Sequence, residues 1–436
     1  MTDPVPGRPD RFLARRAVDV PPPVERVRRT VLPNGVRVVT DTMDAARSAA
    51  VSVWVTVGGR DEPDPLAGAS HFLEHLLFKG TPERDARSIA CDVDAVGGEM
   101  NAYTASEHTV FYARVPAGAV EEGTDLLLDV VGGPALRADD VDAERQVILE
   151  ELAAVEDDPD DVVGIRLFES LFPGHPLGRE VLGTEETISS LTRDQVAGFF
   201  ERWYQPANLV VVGAGMVDHD VLVAQAAAQF GGRPPGERPA RTAPDGRTVA
   251  RVVEERPVEL VHLALAWRTV PADHPDRFAV AALNQLLGAG PSSRLFQEVR
   301  EERGLAYGIS SSATSHLDAG ALTVSCTTSP GKSGDVLAVV RHEVAQLAAD
   351  GPAEEEVERA LGALRGGLLV SMEDASSRML RLGTAESLRG GAAPVAEHLA
   401  RLGAVTPDDV RRVAGKVLGG DEVLAVVGPK GTATKV

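Results

Sequence analysis

Residues 71–80 read HFLEHLLFKG, and residues 281–290 repeat the apolar pattern of that stretch as AALNQLLGAG. Around both stretches the chain places strand-like and helical runs in the same order: strand, helix, helix, strand. We therefore predict a duplicated chain with two similar domains. In this alignment the ionisable residues of the first stretch have no ionisable counterparts, so the first half alone has kept their chemistry. The aligned pairs are Leu73 with Leu283, Leu76 with Leu286, Leu77 with Leu287, Gly80 with Gly290, His71 with Ala281, Glu74 with Asn284 and His75 with Gln285.

Changes in composition divide the chain into segments. Residues 231–247 (GGRPPGERPARTAPDGR) are rich in Pro, Gly and Arg and lack apolar periodicity, which is typical of a linker. We predict an N-terminal domain over residues 29–230 and a homologous C-terminal domain without a metal site over residues 248–436. Residues 1–28 contain several arginines and prolines but no apolar run, and there we predict a flexible arm.

The overall composition excludes several classes of protein. Of the 436 residues, 43 % are hydrophobic and 25 % are charged, as in ordinary soluble globular proteins, and no apolar run is long enough to span a membrane. The formal net charge of −21 opposes a nucleic-acid or membrane partner and attracts basic peptides. Two cysteines, Cys91 and Cys326, are too few for a disulfide framework. We expect a cytoplasmic protein.

The residue types that carry chemistry are His71, Glu74 and His75. Two imidazoles at i and i+4 are neighbours on one helix face and can bind the same ion. Zinc fits such a site, because two imidazoles and a carboxylate leave a fourth position for a water whose pKa the ion lowers. Glu74 lies beside that position and can remove the proton of the water as a general base. The order H-x-x-E-H is the inverzincin signature.

A solvated helix face is the alternative interpretation of this motif. The residues around the motif oppose it, because they are apolar and predict a helix that is buried on most sides. Burying two histidines and a glutamate without partners costs several kcal/mol, and metal binding is the simplest compensation. These apolar neighbours are Phe72, Leu73, Leu76, Leu77 and Phe78.

A third protein ligand is expected from the predicted helix AERQVILEELAAVE, which holds three glutamates. Glu144 and Glu151 are seven residues apart and share a helix face, whereas Glu150 points about 100° away and is predicted to be solvated. Helix geometry alone therefore favours either Glu144 or Glu151 and does not choose between them.

Taken together, these motifs identify the chain as resembling the pitrilysin family of zinc metallopeptidases, on the branch similar to the mitochondrial processing peptidase β-subunit. The resemblance extends from residue 32 to the last predicted strand. The motifs that carry it are HFLEHLLFKGT (71–81), VGGEMNAYTASEHTVFY (96–112), ERQVILEEL (144–152), HPLGREVLGTEE (175–186) and SSRLFQEVREERGLAYGISS (292–311).

The resemblance implies roles for particular residues. It makes His71, His75 and Glu151 the ligands of one zinc ion per subunit and Glu74 the general base, with Glu144 supporting the site. Asn101 is implied to position the substrate from a strand beside the cleft. Arg300 and Tyr307 are implied to hold the substrate carbonyl and to stabilise the oxyanion, as a pair of donors can.

The resemblance also implies an α+β fold of two similar domains, each a mainly antiparallel sheet covered by helices. We expect a zinc-dependent metalloendopeptidase that hydrolyses short or unfolded peptides inside a dimeric clamshell. The partner is expected to be a second copy or a paralogue, and Arg300 and Tyr307 are expected to act on the zinc site of that partner. The alternative is a non-catalytic core-type subunit that binds peptides or serves as a scaffold.

Overall fold

Each half of the sequence supplies one β-sheet. The computed structural model describes residues 21–434 and Val436. In this part of the chain the first sheet has six strands: β1 (Val27–Val31), β2 (Arg37–Thr42), β3 (Ser48–Val55), β4 (Glu99–Thr104), β5 (Thr109–Pro116) and β6 (Leu209–Gly215). The second sheet has five: β7 (Arg251–Glu255), β8 (Val261–Thr269), β9 (Ala306–Ser315), β10 (Gly320–Thr328) and β11 (Val423–Gly428).

The two sheets have the same topology. Their strand orders are β1-β2-β6-β3-β5-β4 and β7-β11-β8-β10-β9, so every strand of the second sheet has a counterpart in the first. In both sheets one pair is parallel, β2 with β6 and β7 with β11, and the pairs that follow are antiparallel. This confirms the predicted α+β fold of two similar, mainly antiparallel domains.

Helices cover the faces of both sheets. The first half contributes α1 (Ala69–Leu77), α2 (Ala86–Ala95), α3 (Val120–Gly132), α4 (Ala138–Asp157), α5 (Pro159–Leu171), α6 (Glu185–Ser190), α7 (Arg193–Trp203) and α8 (His219–Phe230). The second contributes α9 (Arg277–Leu287), a π-helical segment (Phe296–Glu302), α10 (Ser333–Asp350), α11 (Glu354–Ser371), α12 (Ala375–Arg389), α13 (Val395–Gly403) and α14 (Pro407–Leu418). In the part of the chain that is described, no helix combines the length and the apolar composition that crossing a bilayer requires.

The two halves exchange one helix. Helix α5 of the first half packs on the second sheet, where Val163 and Leu167 lie among small residues such as Ala264. Helix α12 of the second half packs on the first sheet, where Met379 belongs to the same buried apolar cluster as Trp54. Each sheet is therefore covered on one face by a helix from the other half of the sequence. The predicted domains, which are continuous stretches of the chain, do not include this exchange.

The N-terminal boundary differs from the expected one. Of the predicted arm, residues 1–20 lie outside the described residues, and Val27 and Arg28 belong to β1, so the first strand begins two residues before the predicted domain. The strand VRRTV is mostly exposed at the sheet edge. Two adjacent arginines interrupt the alternation of apolar and polar residues by which a strand is predicted from sequence. Arg29 binds the buried Glu386 of α12 (2.7 Å) and Arg28 binds Asp220 of α8 (2.8 Å).

The predicted linker contains neither helix nor strand and is packed against the first half. Arg241 contacts both carboxylate oxygens of Asp61 (2.8 and 2.6 Å) and the Glu107 carbonyl (2.9 Å). Residues 101–116 alternate in the sequence as a single strand would, but β4 and β5 form a hairpin there.

Candidate metal centre

Helix α1 begins at a backbone position that only glycine fits well. Gly68 precedes the helix with φ +92°, and a Cβ there would lie 2.6 Å from the carbonyl oxygen of Leu182. The first turn is capped from a distance, because the buried Glu62 carboxylate accepts hydrogen bonds from the N–H groups of Gly68 (2.8 Å) and Ser70 (2.7 Å). This cap fixes the start of α1 and with it the position of His71.

The apolar face of α1 is buried in the first core, as the sequence predicts. Phe72, Leu73, Leu76 and Leu77 are almost fully buried, and the ring centroids of His71 and His75 lie 4.7 Å apart on the other face. Burial, with a smaller effect of His75, lowers the pKa of His71 to about 4. This imidazole is therefore neutral at physiological pH, which is the form that binds metals.

Helix α4 brings a carboxylate to both imidazoles. Glu151 Oε2 lies 3.6 Å from His71 Nε2 and 3.5 Å from His75 Nε2. In the described residues these three side chains form the one cluster of possible ligand atoms, all within 4.8 Å of one another. Two imidazole nitrogens and a carboxylate oxygen are the donor set of a catalytic zinc site, so the residues fit the implied ion.

Glu144 occupies a different place from Glu151. It is buried, its Oε2 accepts a hydrogen bond from His75 Nδ1 (3.2 Å), and its Oε1 lies 2.5 Å from Lys79 Nζ. Because an ionised carboxylate can only accept, this contact favours the tautomer with the proton on Nδ1, which leaves Nε2 for an ion. Glu144 therefore orients His75, while Glu150 is exposed on the same helix.

Glu74 is held by a neighbouring strand. Thr104, the last residue of β4, donates a hydrogen bond from its hydroxyl to Glu74 Oε2 (2.6 Å). Burial raises the pKa of Glu74, and the Thr104 hydroxyl acts against that shift. The carboxyl group thus lies on the helix that carries both histidines and is fixed from outside that helix.

Asn101 is exposed on the same strand as Thr104. β4 is the edge strand of the first sheet, and Asn101 Oδ1 accepts a hydrogen bond from the N–H of Ala102 (2.8 Å). Its amide nitrogen makes no hydrogen bond within the described residues. The side chain stands at an open sheet edge, three residues before the one that holds Glu74.

Arg300 and Tyr307 are brought together, but within the described residues they have no polar contact with the histidines. The Arg300 guanidinium lies 5.1 Å from the centre of the Tyr307 ring and 4.7 Å from that of Phe296. Tyr307 is 88 % exposed on the outer strand β9. In residues 21–434 no hydrogen bond or ion pair joins either residue to the α1 motif.

The second half has a similar contact between a helix and the edge strand but has no ionisable residues at the positions of the two histidines. Asn284 on α9 stands where Glu74 stands on α1, and its Oδ1 accepts a hydrogen bond from the hydroxyl of Ser311 on β9 (2.7 Å). Ala281 and Gln285 stand in place of the two histidines. The second half therefore has a contact between helix and edge strand that resembles the one between Glu74 and Thr104, without the ionisable groups.

A cavity of about 890 Å³ opens beside the end of α4. It is lined by Leu149 and Leu152 of α4, by Ile165 and Arg166 of α5 and by the loop that follows α5. Acidic side chains outnumber basic ones around it: Asp64, Glu156, Asp157, Glu169, Glu180 and Glu185 against Arg166 and Arg179. The cavity thus offers apolar walls with an acidic rim next to the helix that carries Glu151.

Comparison with known proteins identifies the class to which this fold and site belong. The sequence model "Insulinase (Peptidase family M16)" matches residues 37–185, and "Peptidase M16 inactive domain" matches residues 190–364. An uncharacterized zinc protease of Mycobacterium leprae is 44 % identical over 408 residues, covering 92 % of this chain and 91 % of the relative. Another, from Bacillus subtilis, is 33 % identical over 406 residues, covering 93 % and 99 %.

Solved structures share the fold. A protease from Helicobacter pylori superimposes with a TM-score of 0.85 at 21 % identity, covering 93 % of this chain and all of that one (100 %). A Pseudomonas fluorescens structure described as a peptidase M16 inactive domain gives 0.87 at 22 % identity, covering 93 % and 98 %. The chain belongs to peptidase family M16, the pitrilysin family, which confirms the resemblance drawn from its motifs.

Three residues of the site escape sequence reasoning. Lys79 and Thr104 lie inside the quoted motifs, but nothing in their spacing shows that they contact Glu144 and Glu74. Glu62 precedes α1 by several residues, whereas a capping side chain is ordinarily sought directly before the first turn. The sequence offers one signal for such a distant cap. Gly68 stands directly before α1 and has no side chain that could accept hydrogen bonds from the first N–H groups.

Proposed function

We propose that the protein is a zinc-dependent endopeptidase that acts on short or unfolded peptides. One observation carries the proposal: the ligand atoms of His71, His75 and Glu151 lie within 4.8 Å of one another, with Glu74 on the same helix. The names of the relatives as zinc proteases support it. The complete ligand set opposes the alternative, a non-catalytic core-type subunit.

His71, His75 and Glu151 would hold the ion, which when bound supplies Lewis acidity toward a peptide carbonyl. Glu74 takes a proton from the attacking water and passes it to the leaving amine. Its raised pKa suits both steps, because a carboxyl group with a pKa nearer to neutrality accepts and returns a proton more readily. An extended peptide would pair with the open edge of β4, which gives affinity with little sequence preference.

The cleft is proposed to close by dimerisation. Arg300 and Tyr307 contact each other on the second half and have no polar contact with the His71 helix of their own chain within the described residues. In a homodimer, or in a heterodimer with a paralogue, this pair would reach the zinc site of the partner and stabilise the oxyanion there. The cytoplasm, a reducing compartment, suits the two free cysteines.

The test is metal analysis together with a quenched-peptide assay of wild type, Glu74→Gln and, as a control on an exposed site, Glu150→Gln. We expect Glu74→Gln to keep its zinc and to lose turnover by a factor of about 10² to 10⁴, the usual contribution of a general base. Turnover that survives in zinc-loaded Glu74→Gln would refute the role of Glu74. A wild type that binds zinc and peptides but cleaves none would support the core-type subunit instead.

A further inference from the structure

The contact between Thr104 and Glu74 joins the helix that carries the histidines to the edge strand of the first sheet. At 2.6 Å it is a short hydrogen bond from a hydroxyl to a carboxylate. No other side chain of the described residues makes a hydrogen bond or ion pair with Glu74, and the backbone N–H of Thr104 also favours its charged form. Thr104 is therefore the group in this part of the chain that determines the direction of the carboxylate.

The two carboxylate oxygens consequently differ. Oε2 accepts the hydrogen bond of the Thr104 hydroxyl, whereas Oε1 accepts no hydrogen bond from a side chain in residues 21–434. A carboxylate that acts as a general base takes the proton on one oxygen, and that oxygen must point at the reacting water. A carboxylate that rotates freely must be fixed in this orientation in every catalytic cycle, which slows the reaction. The geometry leaves Oε1 for the proton and uses Oε2 as the anchor.

Thr104 is itself held in place. The turn that follows it is closed by the hydrogen bond from the N–H of Ala105 to the carbonyl of His108 (2.8 Å). The loop before α1 binds this turn, through Gly59 to the Ala105 carbonyl (3.2 Å) and through Arg60 to the Ser106 carbonyl (2.7 Å). Neither end of the Thr104–Glu74 contact is therefore free to move alone.

The second half contributes to the same turn. The buried Glu107 accepts hydrogen bonds from the Arg60 side chain (2.6 Å) and from the N–H of Leu317 (2.9 Å), and Arg60 also binds Asp318 (2.6 Å). Leu317 and Asp318 lie in the turn between β9 and β10, the counterpart of the turn between β4 and β5. The hairpins of both halves thus meet beside Thr104.

We propose that Thr104 is a positioning residue for peptide hydrolysis, which holds Glu74 through Oε2 and so presents Oε1 to the reacting water. The inference rests on the proposed function of Glu74 as the general base. It differs from a role in substrate binding, which would raise KM, and from a purely structural role, which would lower stability.

The experiment compares wild type with Thr104→Val, which keeps the shape of the side chain and removes the hydroxyl, and with Thr104→Ser, which restores the hydroxyl. Thr323→Val, on β10 of the second half, is the matched control. We expect Thr104→Val to keep full zinc content, melting temperature and KM while kcat falls about 10- to 100-fold, the usual cost of losing such a supporting contact. Thr104→Ser should recover most of kcat.

A zinc-loaded Thr104→Val protein with unchanged kcat, or one in which KM alone rises, would overturn the inference. Crystal structures of the zinc-loaded wild type and Thr104→Val provide a readout that does not depend on turnover. The Glu74 carboxylate should rotate or become disordered in the variant, and an unchanged carboxylate would also overturn it. A wild type without peptidase activity refutes the proposed function, whereas these structures judge the Thr104 contact separately.

Discussion

Trp54 on β3 packs its indole ring against the backbone of Gly383 in the middle of α12, and no side chain fits between the two. This contact joins the exchanged helix to the first sheet. A Cβ at Gly383 would overlap the indole ring, which is fully buried and donates its Nε1–H to Ser52 Oγ (3.0 Å). Glycine is thus required here for packing, since the helical backbone itself would accept any residue.

We therefore expect Gly383→Ala to destabilise the protein by about 1–3 kcal/mol or more, the usual cost of overpacking a core. Gly362→Ala is the matched control, because Gly362 lies in α11 with open space around it, and alanine there should stabilise the helix by up to about 1 kcal/mol. Denaturant unfolding of both variants measures the difference. Equal unfolding free energies of the two variants would show that α12 does not pack closely against Trp54.

Glu144 is expected to set the zinc affinity. Glu144→Gln removes the carboxylate that fixes the protonated nitrogen of His75 and leaves the Lys79 ammonium without its partner. We expect zinc affinity to fall about 10- to 100-fold in chelator competition. Glu150→Gln, which changes an exposed residue on the same helix, should bind zinc as the wild type does. Equal affinity of the two variants would contradict the role assigned to Glu144.

The ionisation of Glu62 should make the stability of the metal-free protein depend on pH. Burial raises the pKa of Glu62 to about 7 from an ordinary 4.5. The folded state then holds the proton more tightly than the unfolded state, so protonated Glu62 stabilises the fold. This stabilisation is complete below pH 4.5 and is lost as the pH rises through 7. The unfolding free energy of wild type relative to Glu62→Gln should therefore fall by about 2–3 kcal/mol between pH 5 and pH 8.

Unfolding free energies at both pH values, measured in chelator, provide the comparison. Glu83→Gln changes an exposed residue, and its unfolding free energy should follow that of the wild type. A constant difference between wild type and Glu62→Gln would mean that the cap of α1 does not titrate in this range.

The proposed dimer predicts complementation between two inactive proteins. His71→Ala lacks a ligand, and Tyr307→Phe lacks the donor that would serve the partner. After subunit exchange at equal amounts, half of the dimers are mixed, and each mixed dimer has one site with intact zinc ligands and an intact Tyr307. Activity should recover to about a quarter of the wild-type value. No recovery after proven exchange would contradict action on the partner.

The acidic balance predicts a preference for basic peptides. With a formal charge of −21 and an acidic rim on the cavity beside α4, kcat/KM should be higher for a basic peptide than for an acidic peptide matched in length and cleavage site. The advantage should shrink as salt rises from about 0.02 M to about 0.3 M, because salt screens this attraction. Equal rates for both peptides at low salt would rule the preference out.

Much of the fold follows from patterns that are local in the sequence. The apolar face of α1, the shared face of Glu144 and Glu151 on α4, and the repeated order of elements are all properties of periodicity. The spacing of seven residues could not separate Glu144 from Glu151, because both lie on the face toward α1. Their distances from the two imidazoles, which depend on how α1 and α4 pack, assign one to the ligand cluster and the other to His75 Nδ1.

Other features depend on contacts between distant parts of the chain. The apolar stripe of α5 or α12 shows that each helix is buried, but it does not show which sheet it covers. The turn at residues 105–108 contains neither glycine nor proline, so the alternating pattern of β4 and β5 reads as one strand. The Thr104 contact and the Glu62 cap join residues whose proximity only the folded chain creates.

The exchange of α5 and α12 also bears on how the protein is made. During synthesis the outer face of the first sheet, which includes Trp54 and Val210, stays uncovered until the chain has been extended past Arg389. A first half released early would expose a continuous apolar surface, which invites aggregation and chaperone binding. A break at residues 231–247 would likewise leave two fragments, each carrying a helix that packs on the sheet of the other, so each half needs the other to complete its fold.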